Sequence, residues 1–318
     1  MKPIKTKVSI IGSGMVGSTI ASSILQMDLI AEIALIDVNP KKAFGEATDI
    51  SHMTSLPFLP NVNIHSGTYD DCIDSQIIII TAGPSAKPGE SVDRMALAGK
   101  NIQVARDVLS EVTKRTEDAI LIMITNPVDI LTYIAQKEFN YPKERIFGSG
   151  TVLDTARFRR NIARNYQVDT ESVTGYILGE HGSSAFATWS LTTVGGIPCD
   201  KVDEVLGGIA PFDKEEIMDE VINIGYEIIM SKGFTNHGIA AAVRKIVQSI
   251  LLNDLSILPV STTFTGEYGI SGVAMSIPCI IGSSGIHRTL EIPLSPDEVA
   301  AYRMSAEFVK NIMNKFDI

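Results

Sequence analysis

The first half of the chain alternates short apolar runs with longer stretches whose apolar residues recur at helical intervals. Lys7 to Ile11 is a run rich in β-branched residues, and Gly14 to Met27 has helical spacing. Glu32 to Asp37 is a second apolar run that ends in an acid, and Pro40 to Met53 reads as the next helix. Val62 to His65 predicts a short strand, Ile77 to Ala82 a solidly apolar one, Val92 to Arg115 a long helix and Ala119 to Thr125 a further strand. Strands without polar alternation are buried on both faces, so the pattern predicts a parallel sheet covered by helices on each side. Right-handed crossovers make an α/β, Rossmann-type doubly wound parallel sheet the expected topology.

After about residue 150 the rhythm changes. Thr151 to Tyr166 predicts a helix, and two or three strand-like pieces follow between Ser172 and Val194. Helical stretches cover Lys214 to Lys232 and Gly238 to Leu252, and strand-like segments run through Leu255 to Ser261 and Val273 to Ile281. Ser295 followed by Pro296 marks a helix start, with the serine as N-cap and the proline in the first helical position. These features predict a mixed α+β catalytic domain at 149–318 behind a cofactor-binding domain at 1–148. There is no internal repeat, low-complexity tract or obvious linker.

Composition narrows the function. A length of 318 residues with 45% hydrophobic content fits two domains with a real core. A formal net charge of −10 argues against a nucleic-acid partner. Cys72, Cys199 and Cys279 are scattered and odd in number, which disfavours a disulfide framework or structural zinc and fits a reducing compartment. Met1 to Lys7 lacks the apolar stretch of a signal peptide, and runs such as Ile77 to Ala82 are too short to span a bilayer. The expectation is a cytoplasmic protein with no membrane partner and no metal.

Gly12-Ser13-Gly14-Met15-Val16-Gly17 follows the first strand and opens a helix. Gly12 permits the tight turn, Gly14 lets backbone approach a pyrophosphate at the positive helix end, and Gly17 lets helix and strand pack closely. Asp37 stands 20 residues after Gly17, where an acid accepts ribose hydroxyls and repels a 2′-phosphate, which favours NAD over NADP. Asn126, in Thr125-Asn126-Pro127, ends a later strand; it is either a nicotinamide-side contact or a turn-forming Asn before Pro.

Five positions point to the chemistry: Arg94, Asp154, Arg157, His181 and Thr235. Oxidising a secondary alcohol by hydride transfer needs a base for the hydroxyl proton, and His181 in Gly179-Glu180-His181-Gly182 suits it. Asp154 would fix the tautomer and stabilise imidazolium. Arg157, three residues on and on the same helix face, offers a planar fork for a substrate carboxylate. Arg94 suits polarisation of the carbonyl. An Asp–Arg surface salt bridge and a structural His are the bland alternatives.

The chain resembles the L-lactate/malate dehydrogenase family over essentially its whole length. The matching segments include Ile11 to Gly17, Thr81-Ala82-Gly83, Gly99-Lys100-Asn101, Thr125 to Asp129, Gly148 to Thr151, Leu153 to Arg157, Gly179 to Gly182 and Gly266 to Gly269. The resemblance implies a proton relay of His181 with Asp154, a carboxylate-binding Arg157, a substrate-contacting Thr235 and a nicotinamide-side Asn126. It also places Met15, Val16, Thr81, Ala82, Gly83, Asn101 and Thr125 on the cofactor side. Glu180, Thr235 and Gly45 to His52 look like the bacterial lactate branch, whose members are generally homotetramers.

Three departures stand out. The loop before Arg94 is two residues longer than the family's, and the substrate-reading position falls on Ala86 or Pro88, with Lys87 between. Neither the family's glutamine (lactate) nor its arginine (malate) is there. The expectation is pyruvate–lactate activity with breadth toward longer 2-oxo acids of the hydroxyisocaproate type, with malate activity as the alternative. Ser183 stands where the family usually has Asp, which implies a local packing change. Of the pair that holds fructose 1,6-bisphosphate in allosteric relatives, Arg159 is present and Thr174 replaces the histidine, which implies weak or absent activation. A non-enzymatic NAD sensor would not need His181, Asp154 and Arg157 together, and an NAD-dependent glycosidase would need a metal-binding Cys/His pair.

Overall fold

Each apolar run of the first half forms a strand in the computed structural model, which describes residues 6–85, 94–210 and 213–318. The elements follow in the order β1 (Lys7–Ile11), α1 (Met15–Leu25), β2 (Glu32–Ile36), α2 (Pro40–Met53), β3 (Asn63–Ser66), β4 (Ile77–Ile80), α3 (Arg94–Thr113), β5 (Ile120–Met123), α4 (Val128–Glu138) and β6 (Ile146–Gly148). All five residues of β1 and all four isoleucines of β4 are buried, as strands covered on both faces must be. Strands β3-β2-β1-β4-β5-β6 pair in parallel in that order. The order reverses between β1 and β4, the point where a doubly wound sheet opens a crevice at its carboxyl edge.

The second half contains α5 (Val152–Tyr166), β7 (Val173–Thr174), β8 (Ile177–Leu178), β9 (Phe186–Ala187), β10 (Thr193–Val194), β11 (Ile197–Pro198), α6 (Val202–Leu206), α7 (Lys214–Lys232), α8 (His237–Leu252), β12 (Ser256–Thr265), β13 (Ser271–Gly282), β14 (Gly285–Thr289) and α9 (Pro296–Met313). Strands β12, β13 and β14 are antiparallel and extend the parallel sheet to nine strands. The join is a single register pair, Ser261 with Gly148. A Cβ on Gly148 would lie 3.0 Å from the Ser261 Cβ, so the close approach requires glycine there. A separate apolar cluster of Phe158, Ile162, Tyr166, Val173 and Val221 fills the space between α5, α7 and the short strands.

Helix α9 starts where the Ser295-Pro296 signal placed it. The Ser295 hydroxyl accepts the Glu298 backbone N–H, and the Glu298 carboxylate accepts the Ser295 N–H at 2.8 Å. Helix α4 was not visible in the apolar pattern. It is buried nearly all round, with Asp129, Thr132 and Gln136 inside alongside Ile130, Leu131 and Ile134, and the mixed polarity erases the helical period. Its polar groups are satisfied internally: Gln136 donates to the Thr262 hydroxyl at 3.0 Å, and Thr132 to the Val128 carbonyl at 2.7 Å. No helix among the described residues is long and apolar enough to cross a membrane.

Candidate active site

The glycine loop sits in the crevice between β1 and β4. Gly12 has φ +102, and a Cβ there would press within 2.8 Å of the Thr81 hydroxyl. A Cβ on Gly17 would collide with the Gly12 carbonyl, so α1 can pack this closely only with glycine. Gly14 is the N-cap of α1 and supplies no side-chain hydrogen bond. A Cβ there would meet nothing nearer than the Lys42 ammonium at 3.8 Å. The space beside Gly14 at this helix start is therefore open, with Met15 exposed next to it, which fits the pyrophosphate of a dinucleotide.

Asp37, just past β2, is held firmly. Its Oδ2 accepts the Ser13 backbone N–H at 2.8 Å and the Ser13 hydroxyl at 2.9 Å, and its Oδ1 accepts the Asn39 N–H at 2.9 Å. Burial pushes its pKa up, but these bonds and the nearby Lys42 outweigh it and hold the carboxyl below its usual range. Ser13 escaped the sequence reading, because its partner lies 24 residues away.

The remaining cofactor-side candidates converge on the same edge. The Thr81 hydroxyl donates to the Gly12 carbonyl at 2.8 Å, and the Thr125 hydroxyl to the Ala82 carbonyl at 2.8 Å. A Cβ on Gly83 would lie 2.6 Å from the Asn101 Oδ1. Asn101 donates to the Asn126 carbonyl at 2.7 Å, while its buried Oδ1 has no hydrogen-bond partner among the described residues. Asn126 makes the turn contact, its Oδ1 accepting the Val128 N–H at 3.3 Å, and also borders the cleft.

Four of the catalytic candidates, Asp154, Arg157, His181 and Thr235, meet in one cleft of about 290 Å³. His181 Nδ1 and Asp154 Oδ2 are 2.5 Å apart, and Arg157 Nη1 donates to Asp154 Oδ1 at 3.0 Å. Nδ1 is thereby committed, and Nε2 is the nitrogen left for a substrate. The Asp154 carboxylate, opposed by burial, raises the His181 pKa to about 9. For Asp154 itself, burial pushes upward, but His181 and Arg157 prevail and hold it below the usual carboxylate range. His181 therefore rests protonated at neutral pH beside an ionised carboxylate.

Val16, Asn126 and Thr235 also line this cleft. An apolar wall, missed in the sequence, is formed by Val221, Ile222 and Ile229 from α7, with Ile239 from α8. Their helical spacing is visible in the chain, but nothing local says what they face. Gly225 interrupts this wall, and a Cβ there would sit 3.8 Å from the Arg157 guanidinium nitrogens. Ala86 and Pro88 lie outside the described residues. Arg94 is the first residue of α3, and its side chain is likewise outside them.

Two other expectations and one further cluster bear on the site. Glu180 does not line the cleft; its carboxylate accepts the Ser184 hydroxyl at 2.6 Å and shapes the loop after His181. Arg159 donates to the Gly175 carbonyl at 3.0 Å and stacks over Tyr176, while Thr174 pairs with Thr193 at 2.8 Å. Glu32, His65 and Asp71 come together as a metal-like group, but the Lys7 ammonium lies 3.2 Å from Glu32 and 3.0 Å from Asp71 and supplies the cation itself.

Residues 6–148 match the family model described as lactate/malate dehydrogenase, NAD binding domain, and residues 151–317 match the lactate/malate dehydrogenase, alpha/beta C-terminal domain. The chain is 49% identical over 313 residues to L-lactate dehydrogenase 2 of Clostridium acetobutylicum, covering 98% of both. It is 44% identical over 310 residues to the L-lactate dehydrogenase of Selenomonas ruminantium, again covering 98% of both. Among solved structures, the minor L-lactate dehydrogenase of Enterococcus mundtii in its ligands-bound form superposes with a TM-score of 0.92 at 39% identity, covering 98% of each chain. A lactate dehydrogenase from a Medee basin deep-sea metagenome does so with a TM-score of 0.93 at 34% identity, covering 99% of each.

Proposed function

The chain belongs to the lactate/malate dehydrogenase family, and we propose that within it the protein is an L-lactate dehydrogenase, reducing pyruvate to L-lactate. It is an NAD-dependent dehydrogenase, as the match to the family's NAD binding domain and the fit of the glycine loop require. The single observation that carries the proposal is the ionised Asp154 bonded at once to His181 and to Arg157 inside one small cleft.

NAD supplies the hydride acceptor, and its reduced form the hydride donor. Gly12 to Gly17 and the N-terminus of α1 would hold the pyrophosphate, and Asp37, fixed by Ser13, would hold the ribose. Thr81, Ala82, Gly83, Asn101, Thr125 and Asn126 would hold the nicotinamide side. Arg157 binds the substrate carboxylate and so orients the neighbouring carbonyl. As the carbonyl is reduced, His181 Nε2 gives its proton to the carbonyl oxygen, which leaves a neutral imidazole beside lactate. In the reverse direction Nε2 takes the hydroxyl proton, and Asp154 stabilises the imidazolium that forms. Arg94 polarises the carbonyl as negative charge develops, and Thr235 packs against the substrate.

Breadth toward longer 2-oxo acids, of the hydroxyisocaproate type, is supported by the apolar wall of Val221, Ile222 and Ile229 and by the missing side chain at Gly225. The malate alternative needs a second cation for a second carboxylate, and Arg157 is the only arginine or lysine among the described lining residues. Steady-state kcat/KM for pyruvate, 2-oxoisocaproate and oxaloacetate with NADH and NADPH decides. Pyruvate first and 2-oxoisocaproate a measurable second is the expected order; oxaloacetate ahead by more than about tenfold sinks it.

The same proposal extends to domains at 1–148 and 149–318, a homotetramer and a cytoplasmic setting. The family matches at 6–148 and 151–317 and three unpaired, buried cysteines support these points. Light scattering behind size exclusion tests the assembly; any mass other than four chains overturns it.

A further inference from the structure

His181 touches a second carboxylate that the proton-transfer scheme leaves unused. Asp129 lies in the first turn of α4 and is 3% exposed. Its Oδ2 accepts the His181 backbone N–H at 2.7 Å, and its Oδ1 accepts the Ser261 hydroxyl at 2.6 Å. Ser261 is also the residue through which β12 joins β6. One carboxylate thus ties α4, the His181 loop and the seam of the sheet together.

Two neutral donors do not explain a buried charge, because a neutral acceptor would satisfy both without the desolvation cost. The charge gains a purpose from its neighbour. We propose, building on the assignment of His181 as the acid–base residue, that Asp129 is a positioning residue: it clamps the His181 main chain and adds its negative charge to that of Asp154 in holding the imidazole protonated.

The surroundings isolate this effect. On α5, Asp154 and Arg157 face His181, and α7 presents only Val221, Ile222, Gly225 and Ile229 to the cleft. Glu180 is turned toward Ser184, and the Tyr302 hydroxyl of α9 donates to the Ser276 carbonyl. Burial pushes the Asp129 carboxyl up to about 6, with the Ser261 and His181 bonds opposing it, and Asp129 in turn raises the His181 pKa. Asp129 is therefore charged at neutral pH and loses its charge on mild acidification.

The test compares kcat/KM for pyruvate against pH in wild type, Asp129→Asn and Asp129→Ser, with His181→Asn as control. Both Asp129 variants keep an acceptor and remove the charge. The alkaline fall of the profile is expected about 0.5 pH lower in each, with KM for NADH unchanged. Profiles that superpose on wild type overturn the inference. His181→Asn with near-full activity sinks instead the functional assignment beneath it. A measurement on the unaltered enzyme covers failure of either variant to fold. The ¹³C-histidine resonance of His181, one of five histidines, should show a small second inflection near pH 6 as Asp129 titrates. A single inflection refutes the proposal.

Discussion

The Asp154 carboxylate divides its two oxygens between catalytic partners: Oδ2 lies 2.5 Å from His181 Nδ1, and Oδ1 accepts from Arg157 at 3.0 Å. One buried anion thus sets the tautomer of the proton carrier and the direction of the carboxylate-binding fork. Anything that disturbs it should reach proton transfer and substrate binding together, in separable proportions.

Asp154→Asn tests the first half. The contact raises the His181 pKa to about 9, so pyruvate reduction should stay level through neutrality and fall as pH climbs through that value. Lactate oxidation, which needs neutral imidazole, should rise over the same interval. In the variant the reductive fall moves toward the ordinary histidine range, and kcat at pH 8 drops by about 10²-fold or more. The same sign governs stability. A raised folded-state pKa contributes stability below about 6.5 that is lost as pH rises through about 9, and the variant should lose that dependence in thermal melts. An unshifted rate profile would falsify the pairing.

Arg157→Lys tests the second half. Nη1 is already committed to Asp154, so the planar group serves both an internal carboxylate and the substrate. A lysine point charge can satisfy one of them, and the loss should fall mainly on binding. KM for pyruvate is expected to rise about tenfold or more while NADH affinity holds. Stopped-flow NADH binding beside steady-state kinetics separates the two, and an unchanged pyruvate KM contradicts the assignment.

What could be read in the chain and what could not divides along physical lines. Strands β1 and β4 were legible because burial on both faces writes itself as unbroken apolar runs, and the glycine loop because its chemistry is contiguous. Helix α4 was hidden because Asp129, Thr132 and Gln136 are buried in it among apolar residues. Ser13 and Asp129 acquire their roles from Asp37 and Ser261, 24 and 132 residues away, so no local pattern announces them. Glu180 reads in sequence as a mark of the lactate branch, yet its carboxylate is spent on Ser184; the mark follows loop shape rather than substrate contact.

Gly17→Ala probes the cofactor crevice. The added Cβ would run into the Gly12 carbonyl and approach the Thr81 hydroxyl to 3.0 Å, so α1 must move off β1. A forced shift of this kind costs about 1–3 kcal/mol of stability. It also displaces the helix end that faces the pyrophosphate. A lower melting temperature together with weaker NADH binding in a fluorescence titration is the expected result. Wild-type affinity in a folded variant shows that the loop is not the cofactor cradle.

Fructose 1,6-bisphosphate should do little to this protein. The resemblance maps an activator-binding arginine and histidine onto Arg159 and Thr174, and both are committed within the chain. The Arg159 guanidinium donates to Gly175 at 3.0 Å and lies 5.3 Å over the Tyr176 ring. Burial holds its pKa below the usual arginine value against the opposing influence of Tyr176, yet it remains a cation. Thr174 adds no charge and is paired with Thr193 at 2.8 Å. A bisphosphate would have to pull Arg159 off both partners and would find no second cation at position 174. Effective allosteric couplings change affinity about 5- to 150-fold. Here the pyruvate KM is expected to move less than about twofold at millimolar sugar bisphosphate, within the noise of such coupling. Thr174→His, which restores the second cation, should create measurable activation only when Arg159 is retained, so Arg159→Ala in that background is the control. A large fall in the KM of the unaltered protein would show that the Arg159–Tyr176 stack opens readily and that activation runs through other groups.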